Sequence, residues 1–247
     1  MQITGNTLLV TGGGSGIGLA LARRFAARGN TVIVCGRRAD ALAAAKRETP
    51  ALETLQGDVA TETGRIKIAQ EARERFPKLN VLVNNAGIQQ RPAPLLQPQD
   101  WAAHRAEIAT NLEAPLHLTM LLVPYLARAA HGAVINITSG LAFVPLAAMP
   151  TYCLTKAALH SFTQSLRHQL AQTTLAVIEI APPAVNTDLG GPGLHTFGVN
   201  LDAFADHAFA RIEAGDTEFG YQSSEERRVA GFEAREKTFA QMNAPRV

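Results

Sequence analysis

A chain of 247 residues that is 47% hydrophobic and 18% charged is long enough to bury a large core, which excludes general disorder. Its 23 basic and 21 acidic side chains leave a net charge of +2, too little for a broad nucleic-acid-binding face. Two cysteines cannot build a disulfide framework and suit a reducing compartment. The most apolar run, Ala114 to Ala127, contains His117, is bounded by Glu113 and Arg128, and is too short to span a bilayer. The N-terminus lacks the basic region of a signal peptide. The expectation is a soluble, cytoplasmic domain with no membrane insertion.

Short apolar runs alternate with helical patterns. Leu8-Leu9-Val10 leads into a glycine-rich turn, followed by Ile17, Leu21 and Phe25 at helical spacing as far as Gly29. Thr31 to Cys35 reads as a strand, Ala39 to Arg47 as a helix, Leu52 to Gln56 as a weaker strand, and Thr63 to Arg75 as a charged helix. Strands follow at Val81–Val83, Val134–Ile137 and Leu175–Ile180, with helices over about 101–129 and 152–171 between them. Apolar strands alternating with helices predict a doubly wound α/β fold with a parallel sheet covered on both faces.

The rhythm breaks at Pro182-Pro183. Beyond it come Gly190-Gly191-Pro192-Gly193, a helix from about Leu201 to Glu213, and a last helix for which Ser223 and Glu226 have capping-box spacing. With no linker dividing two cores, residues 1–247 form one domain, and 188–220 is expected to be a substrate lid.

Thr11-Gly12-Gly13-Gly14-Ser15-Gly16-Ile17-Gly18 joins the first strand to the first helix. Glycines there let backbone N–H groups approach a pyrophosphate, which the helix N-terminus stabilises. The strand–turn–helix context raises the motif above an ordinary turn, while FAD and methyltransferase folds stay open at this point. An NAD-specific site places an acid roughly 20 residues further on. This chain reads Cys35-Gly36-Arg37-Arg38, with no acid until Asp40. Guanidinium groups pair with a 2′-phosphate that a carboxylate would repel, so the expected cofactor is NADP(H) rather than NAD(H). Arg37 is then the main phosphate ligand and Arg38 its support.

Tyr152 and Lys156 are four apart and share one helix face. A free tyrosine titrates near 10, and a neighbouring lysine cation together with a nicotinamide cation would lower that value toward neutrality. Ser139 follows the strand ending at Ile137 and is placed to hold a substrate oxygen. Neither cysteine has a partner arranged for nucleophilic catalysis, and the seven histidines lack metal-ligand spacing, so no metal is expected. His195, in the glycine-rich segment, is read as an exposed loop histidine, with contact to substrate as the alternative.

Together these strings resemble the short-chain dehydrogenase/reductase family of the compact type. The matching motifs are Thr11-Gly12-x-x-x-Gly16-Ile17-Gly18, Asp58-Val59, Asn84-Asn85-Ala86-Gly87, Asn111, Ser139, Tyr152-x-x-x-Lys156 and Pro182-x-x-Val185-x-Thr187. The resemblance implies a seven-stranded Rossmann sheet in the order 3-2-1-4-5-6-7 and hydride transfer at the nicotinamide. It implies that Tyr152 is the general acid/base, that Ser139 orients the substrate, and that Lys156 binds the nicotinamide ribose. Asn111 would anchor a proton-relay water. Asp58 and Val59 would meet the adenine, Asn85, Ala86 and Gly87 would line the cofactor, and Thr187 would hold the carboxamide end. Ser139 to Leu146, Ala157-Ala158-Leu159-His160-Ser161 and Ala181 to Val185 are similar to the branch containing the oxidoreductase of teichoic-acid D-alanylation operons, which implies a bacterial setting. The family usually has glycine after Pro182. Pro183 departs from that and removes an N–H.

The substrate pocket is expected to draw on Gln89, Leu141, Phe143, Met149, Val185 and Leu189, a mostly apolar set suited to a hydrophobic or mixed carbonyl or alcohol. The alternative reading is a regulatory protein that binds NADP(H) without turnover. Against it stands the retention of Ser139, Tyr152 and Lys156. The resemblance also implies a homodimer or homotetramer through the helices near 101–129 and 152–171.

Overall fold

The computed structural model describes residues 1–244. Seven strands, β1 (Thr7–Thr11), β2 (Thr31–Gly36), β3 (Leu52–Gln56), β4 (Val81–Asn84), β5 (Gly132–Ile137), β6 (Leu175–Ala181) and β7 (Glu218–Gly220), form one sheet. Its order is β3-β2-β1-β4-β5-β6-β7 and every pairing is parallel, the doubly wound arrangement expected from the sequence.

Side chains along each strand alternate between two cores, as the two-residue strand period requires. Leu8, Val10, Val34 and Ile135 face a layer containing Leu21 and Phe25 of α1 (Gly16–Ala27) and Leu42 of α2 (Ala39–Glu48). Leu9, Ile33, Leu82 and Val134 face the other layer, with Ile68 of α3 (Glu62–Arg75) against them.

The apolar stretch read as one helix over 101–129 is divided. Helix α4 (Trp101–Ile108) passes through a π-helical turn, Ala109–Glu113, into α5 (Ala114–Leu126). Pro115 follows that turn and has no N–H to give the Asn111 carbonyl four residues back, so one α-helical bond is absent where the winding changes. Helix α6 (Pro150–Gln169) begins two residues before the expected start, with proline in its first turn.

Three expectations for the C-terminal third need correction. Helix α7 (Leu201–Glu213) and β7 lie within the proposed lid, yet Phe204, Ala205, Ala208, Ile212 and Phe219 are fully buried, and Phe209 meets Phe25 edge-on at 5.1 Å. Residues 201–220 therefore belong to the core, and the irregular segment over the sheet edge is 188–198. The last helix is two, α8 (Ser223–Val229) and α9 (Phe232–Met242), separated at Gly231. The capping box does not form, because Gln222 occupies the N-cap position at φ 49°. Here Ser224 accepts from the Tyr221 amide and the Glu225 carboxylate accepts from the Gly220 amide, tying α8 to β7.

Candidate active site

The site lies at the carboxyl ends of the strands, across the switch between β1 and β4, where doubly wound sheets bind ligands. Thr11 closes β1 and joins its neighbours: its hydroxyl donates to the Val83 carbonyl at 3.2 Å and accepts from the Asn85 and Ala86 amides at 3.0 and 3.1 Å. Asn85 returns the link, its Nδ2 donating to the Thr11 and Gly12 carbonyls at 2.9 and 3.3 Å. The expected cofactor-lining loop and the glycine loop are thus one braced unit.

Within that unit the glycines have separate physical reasons. Gly12 is at φ +63°, and a Cβ there would stand 2.8 Å from the Ala86 Cα. A Cβ on Gly18 would fall 2.3 Å from Asn85 Nδ2. Ser15 makes no side-chain cap on α1, and the first turn carries no acidic residue. This leaves the N-terminal amides and the positive helix end to an anion. Arg37 and Arg38 are exposed beside the loop, and Arg38 Nη2 donates to Ser15 Oγ at 3.3 Å. Thr187 stands over the same loop, since a Cβ on Gly16 would lie 3.5 Å from its methyl group. A narrow, cation-flanked cradle of this kind fits the phosphates of a dinucleotide.

Asp58 serves its own turn, with Oδ1 accepting from the Ala60 amide at 2.9 Å, and Val59 is buried. Val185 is buried and bridges to Val199. The Pro182 carbonyl accepts from the Gly140 amide at 2.9 Å, which holds the end of β6 against the loop carrying Ser139.

Tyr152 and Lys156 are buried on one face of α6, and the Lys156 ammonium lies 5.7 Å from the Tyr152 ring centre. Lys156 Nζ donates to the Ile137 carbonyl at 2.8 Å, and a Cβ on Gly87 would be 3.8 Å away from it. Burial pushes the Tyr152 phenol above its ordinary value, against the expected depression by lysine, while the Ser139 hydroxyl opposes the rise. Burial also lowers the Lys156 ammonium to about 8.

A lowered lysine has a stability consequence. Between pH 8 and its ordinary 10.5, the unfolded chain retains a proton that the folded protein has released. The contribution is therefore present above pH 10.5 and is lost as pH falls toward 8, a change of about 3 kcal/mol. Tyr152 acts oppositely only above about pH 10, where an unfolded phenol begins to ionise first. The buried Cys35 and Cys153 thiols, raised by burial, act against the lysine above about pH 9 in any variant that keeps them. Urea unfolding of the cofactor-free protein from pH 8 to 10 should therefore show wild type gaining stability relative to Lys156→Met. Equal slopes in the two proteins would contradict the lysine's contribution.

Asn111 sits in the π-helical turn and clamps the Ile88 peptide at both ends, Oδ1 accepting from its N–H at 2.9 Å and Nδ2 donating to its carbonyl at 2.8 Å. Met149, Tyr152 and Cys153 form a small cluster against which Leu141, Leu146 and Leu189 pack. Phe143 differs from the others expected in the pocket. Its ring meets His160 edge-on at 4.7 Å and the Arg235 guanidinium at 5.6 Å, joining α6 to α9. His195, expected to be exposed, is buried, with its ring 5.8 Å from that of Phe197.

Several polar residues beneath the site were given no role from the sequence. Asn84 Nδ2 donates to Thr119 Oγ1 and to Asn136 Oδ1, and Asn136 Nδ2 to Thr163 Oγ1, a buried ladder beneath α5 and α6. Glu179 is fully buried in β6, accepting from Thr138 Oγ1 at 2.8 Å and lying 2.9 Å from His160 Nδ1. Glu107, buried in α4, accepts from the Gln90 amide at 2.9 Å. A carboxylate within an apolar strand and paired asparagines at neighbouring strand ends were the available signals. His160, Glu179 and Glu218 cluster closely enough to suggest a metal, but Glu218 already pairs with Arg167 and Arg228. Among the described residues no helix is long and apolar enough to cross a membrane.

Comparison with known proteins gives the same reading of the chain. A family model described as short chain dehydrogenase matches residues 6–194. The uncharacterized oxidoreductase DltE of Bacillus subtilis (strain 168) is 42% identical over 248 residues, covering 98% of each chain. A short-chain dehydrogenase from Sphingobium yanoikuyae in complex with NADPH superposes with a TM-score of 0.81 at 25% identity, covering 98% of each chain. One from Burkholderia cenocepacia J2315 in complex with NADP gives 0.83 at 26% identity, covering 98% of this chain and 99% of that one. The sheet order, the braced glycine loop and these matches along the chain place the protein in the short-chain dehydrogenase family of oxidoreductases.

Proposed function

We propose that the protein is an NADP(H)-dependent oxidoreductase that interconverts a carbonyl and an alcohol through Tyr152, Ser139, Lys156 and Asn111. The observation carrying this reading is the shared burial of Tyr152 and Lys156 on one face of α6, beside Ser139 and the Gly87 wall. A bound nicotinamide supplies or accepts the hydride. Ser139 Oγ holds the substrate oxygen, and the Tyr152 hydroxyl gives it a proton in reduction and takes one in oxidation. Lys156, fixed by the Ile137 carbonyl, places positive charge beside the phenol and reaches the ribose hydroxyls. Asn111 holds Ile88 in place. Its own carbonyl, denied an α-helical partner by Pro115, is the acceptor for a relay water.

Arg37 and Arg38 support the phosphorylated cofactor, as do the NADPH and NADP complexes of the two structural neighbours. Removing both arginines (Arg37→Ser with Arg38→Ser) should weaken NADPH binding about 30-fold while leaving NADH binding within about twofold, since a bidentate phosphate pair is lost. Fluorescence titration with the two cofactors checks this, and equal weakening of both would count against a phosphate role. The 188–198 segment is the proposed cover over substrate. Exposed Trp101, Met120 and Leu154 on α4, α5 and α6 support a homo-oligomer joined through those helices.

Oxidation of NADPH against a panel of aldehydes and ketones tests the function as a whole. Turnover of at least one carbonyl is expected. Tight NADPH binding with no turnover of any would favour a nucleotide-sensing role instead.

A further inference from the structure

Three successive residues at the end of β5 are tied by polar side chains to one face of α6. Asn136 Nδ2 donates to Thr163 Oγ1 at 2.8 Å, and the Ile137 carbonyl accepts from Lys156 Nζ at 2.8 Å. The tie at Thr138 runs through β6. Thr138 Oγ1 donates to Glu179 Oε1 at 2.8 Å, and His160 Nδ1 lies 2.9 Å from both oxygens of the same carboxylate. The residue after Thr138 is Ser139, and Lys156, His160 and Thr163 follow Tyr152 on successive turns of one helix.

A carboxylate is out of pattern at this place in β6. Ile178 and Ile180 enter one apolar core, and Val177 enters the other with Leu166 of α6. Glu179, on the Val177 face, is fully buried where an apolar side chain would continue the series. Stability gives little reason for it, since apolar replacement of a buried ionic pair is often neutral or stabilising. What the pair supplies is direction. The Glu179 carboxylate holds His160 above its ordinary value, and charge-assisted hydrogen bonds are short and geometrically specific. Glu218, the other acid near His160, is taken up by Arg167 and Arg228, and Phe143 meets the imidazole edge-on at 4.7 Å.

The Thr138 amide already donates to the Ile180 carbonyl at 2.8 Å, so the strand end carrying Ser139 sits firmly on β6. Glu179 extends that rigid pair to α6. The Thr138 hydroxyl aims the carboxylate, and the carboxylate takes the His160 ring. Lys156 reaches the same strand end on a flexible stem, whereas a planar imidazole held by a planar carboxylate has fewer ways to move. We propose that Glu179 is a positioning residue for the reaction: by holding Thr138 and His160 together, it sets where the Tyr152 hydroxyl stands relative to Ser139. This rests on the oxidoreductase reading above.

The test is steady-state oxidation of NADPH against propanal, butanone and benzaldehyde, with NADPH titration and thermal unfolding of each variant. Glu179→Leu should lower kcat about 30-fold or more for each probe that wild type reduces, since a misplacement of about 1 Å costs on the order of 10²-fold in rate. KM and the NADPH dissociation constant should stay within about threefold, because the cofactor cradle on β1 and β4 is untouched. Glu179→Gln keeps the length, accepts from Thr138 and donates to a neutral His160, and should return kcat to within about threefold of wild type. Should Glu179→Leu fail to fold, combining it with His160→Phe and Thr138→Val makes the whole bridge apolar at similar volume and should show the same loss. Wild-type kcat in the folded Leu or triple variant, or a loss that Glu179→Gln does not relieve, overturns the positioning role and leaves the oxidoreductase reading standing. No turnover of any probe by wild-type protein that binds NADPH overturns the oxidoreductase reading, and this inference with it.

Discussion

Tyr152→Phe should lower NADPH-linked turnover by about 10³-fold while leaving the NADPH dissociation constant within about threefold of wild type. The substitution removes one oxygen and keeps the ring that packs with Met149 and Cys153, so the fold loses little. What disappears is the proton donor at the substrate oxygen, and general acid–base groups typically contribute about 10² to 10⁴ in rate. Burial that raises the phenol makes it a protonated donor at neutral pH, suited to reduction. Oxidation requires the ionised form, which the cofactor's positive nicotinamide and Lys156 must stabilise together. The alcohol-oxidation rate should accordingly climb with pH further than the reduction rate falls, and the Phe variant should lose both dependences. Wild-type turnover in that variant would remove Tyr152 from the mechanism.

Much of this architecture was legible because local pattern and global fold agree. Near-continuous apolar strands such as Leu8–Val10 and Val81–Val83 belong to a sheet buried on both faces, and the helix at Leu201–Glu213 announced itself through Leu201, Phe204, Ala208 and Ile212. Periodicity identifies that helix but does not say whether its apolar face meets core or substrate. Phe204 and Ile212 settle it as core, which leaves 188–198 as the stretch proposed to cover substrate. The π-helical turn escaped for a related reason. An apolar stretch with Pro115 and Pro124 still has helical composition, and Pro124 lies inside a continuous α-helix, so proline position alone does not mark the turn.

Site residues divide in the same manner. Tyr152 and Lys156 are legible from spacing on one helix. Glu179, His160 and Thr138 come from β6, α6 and the end of β5, and their contact depends on strand register: Asn136 pairs with Glu179 and Ile137 with Ile180. Likewise Gln89 and Gly190 are 101 positions apart and come together only after the 188–198 segment folds back. Hydrogen-bonding groups that are partnered at long range have no local signature.

Gly18→Ala isolates the coupling between the glycine loop and the Asn85 loop, and its main effect should fall on cofactor binding. Gly18 has no positive φ, so alanine is not strained by the backbone and gains up to about 1 kcal/mol as a better helix former. Space is the obstacle: the new Cβ would lie 2.3 Å from Asn85 Nδ2, 3.0 Å from its Cγ and 2.8 Å from the Gly12 carbonyl. Asn85 must swing away and give up its bonds to the Thr11 and Gly12 carbonyls, each contributing about 1 kcal/mol. The two lost bonds outweigh that gain and the Gly12 carbonyl must also shift, so stability should fall by about 2 kcal/mol. The cradle, however, loses the brace that fixes its amides, and NADPH binding should weaken by about 30-fold or more. Asn85→Ala supplies the comparison, because it removes the obstructing side chain and the brace together. If the obstruction is the cause, adding Gly18→Ala to Asn85→Ala should cost much less affinity than adding it to wild type. Calorimetric titration of the four proteins with NADPH measures that coupling, and additive losses would mean that Gly18 acts through the Gly12 carbonyl or the cofactor itself and not through Asn85.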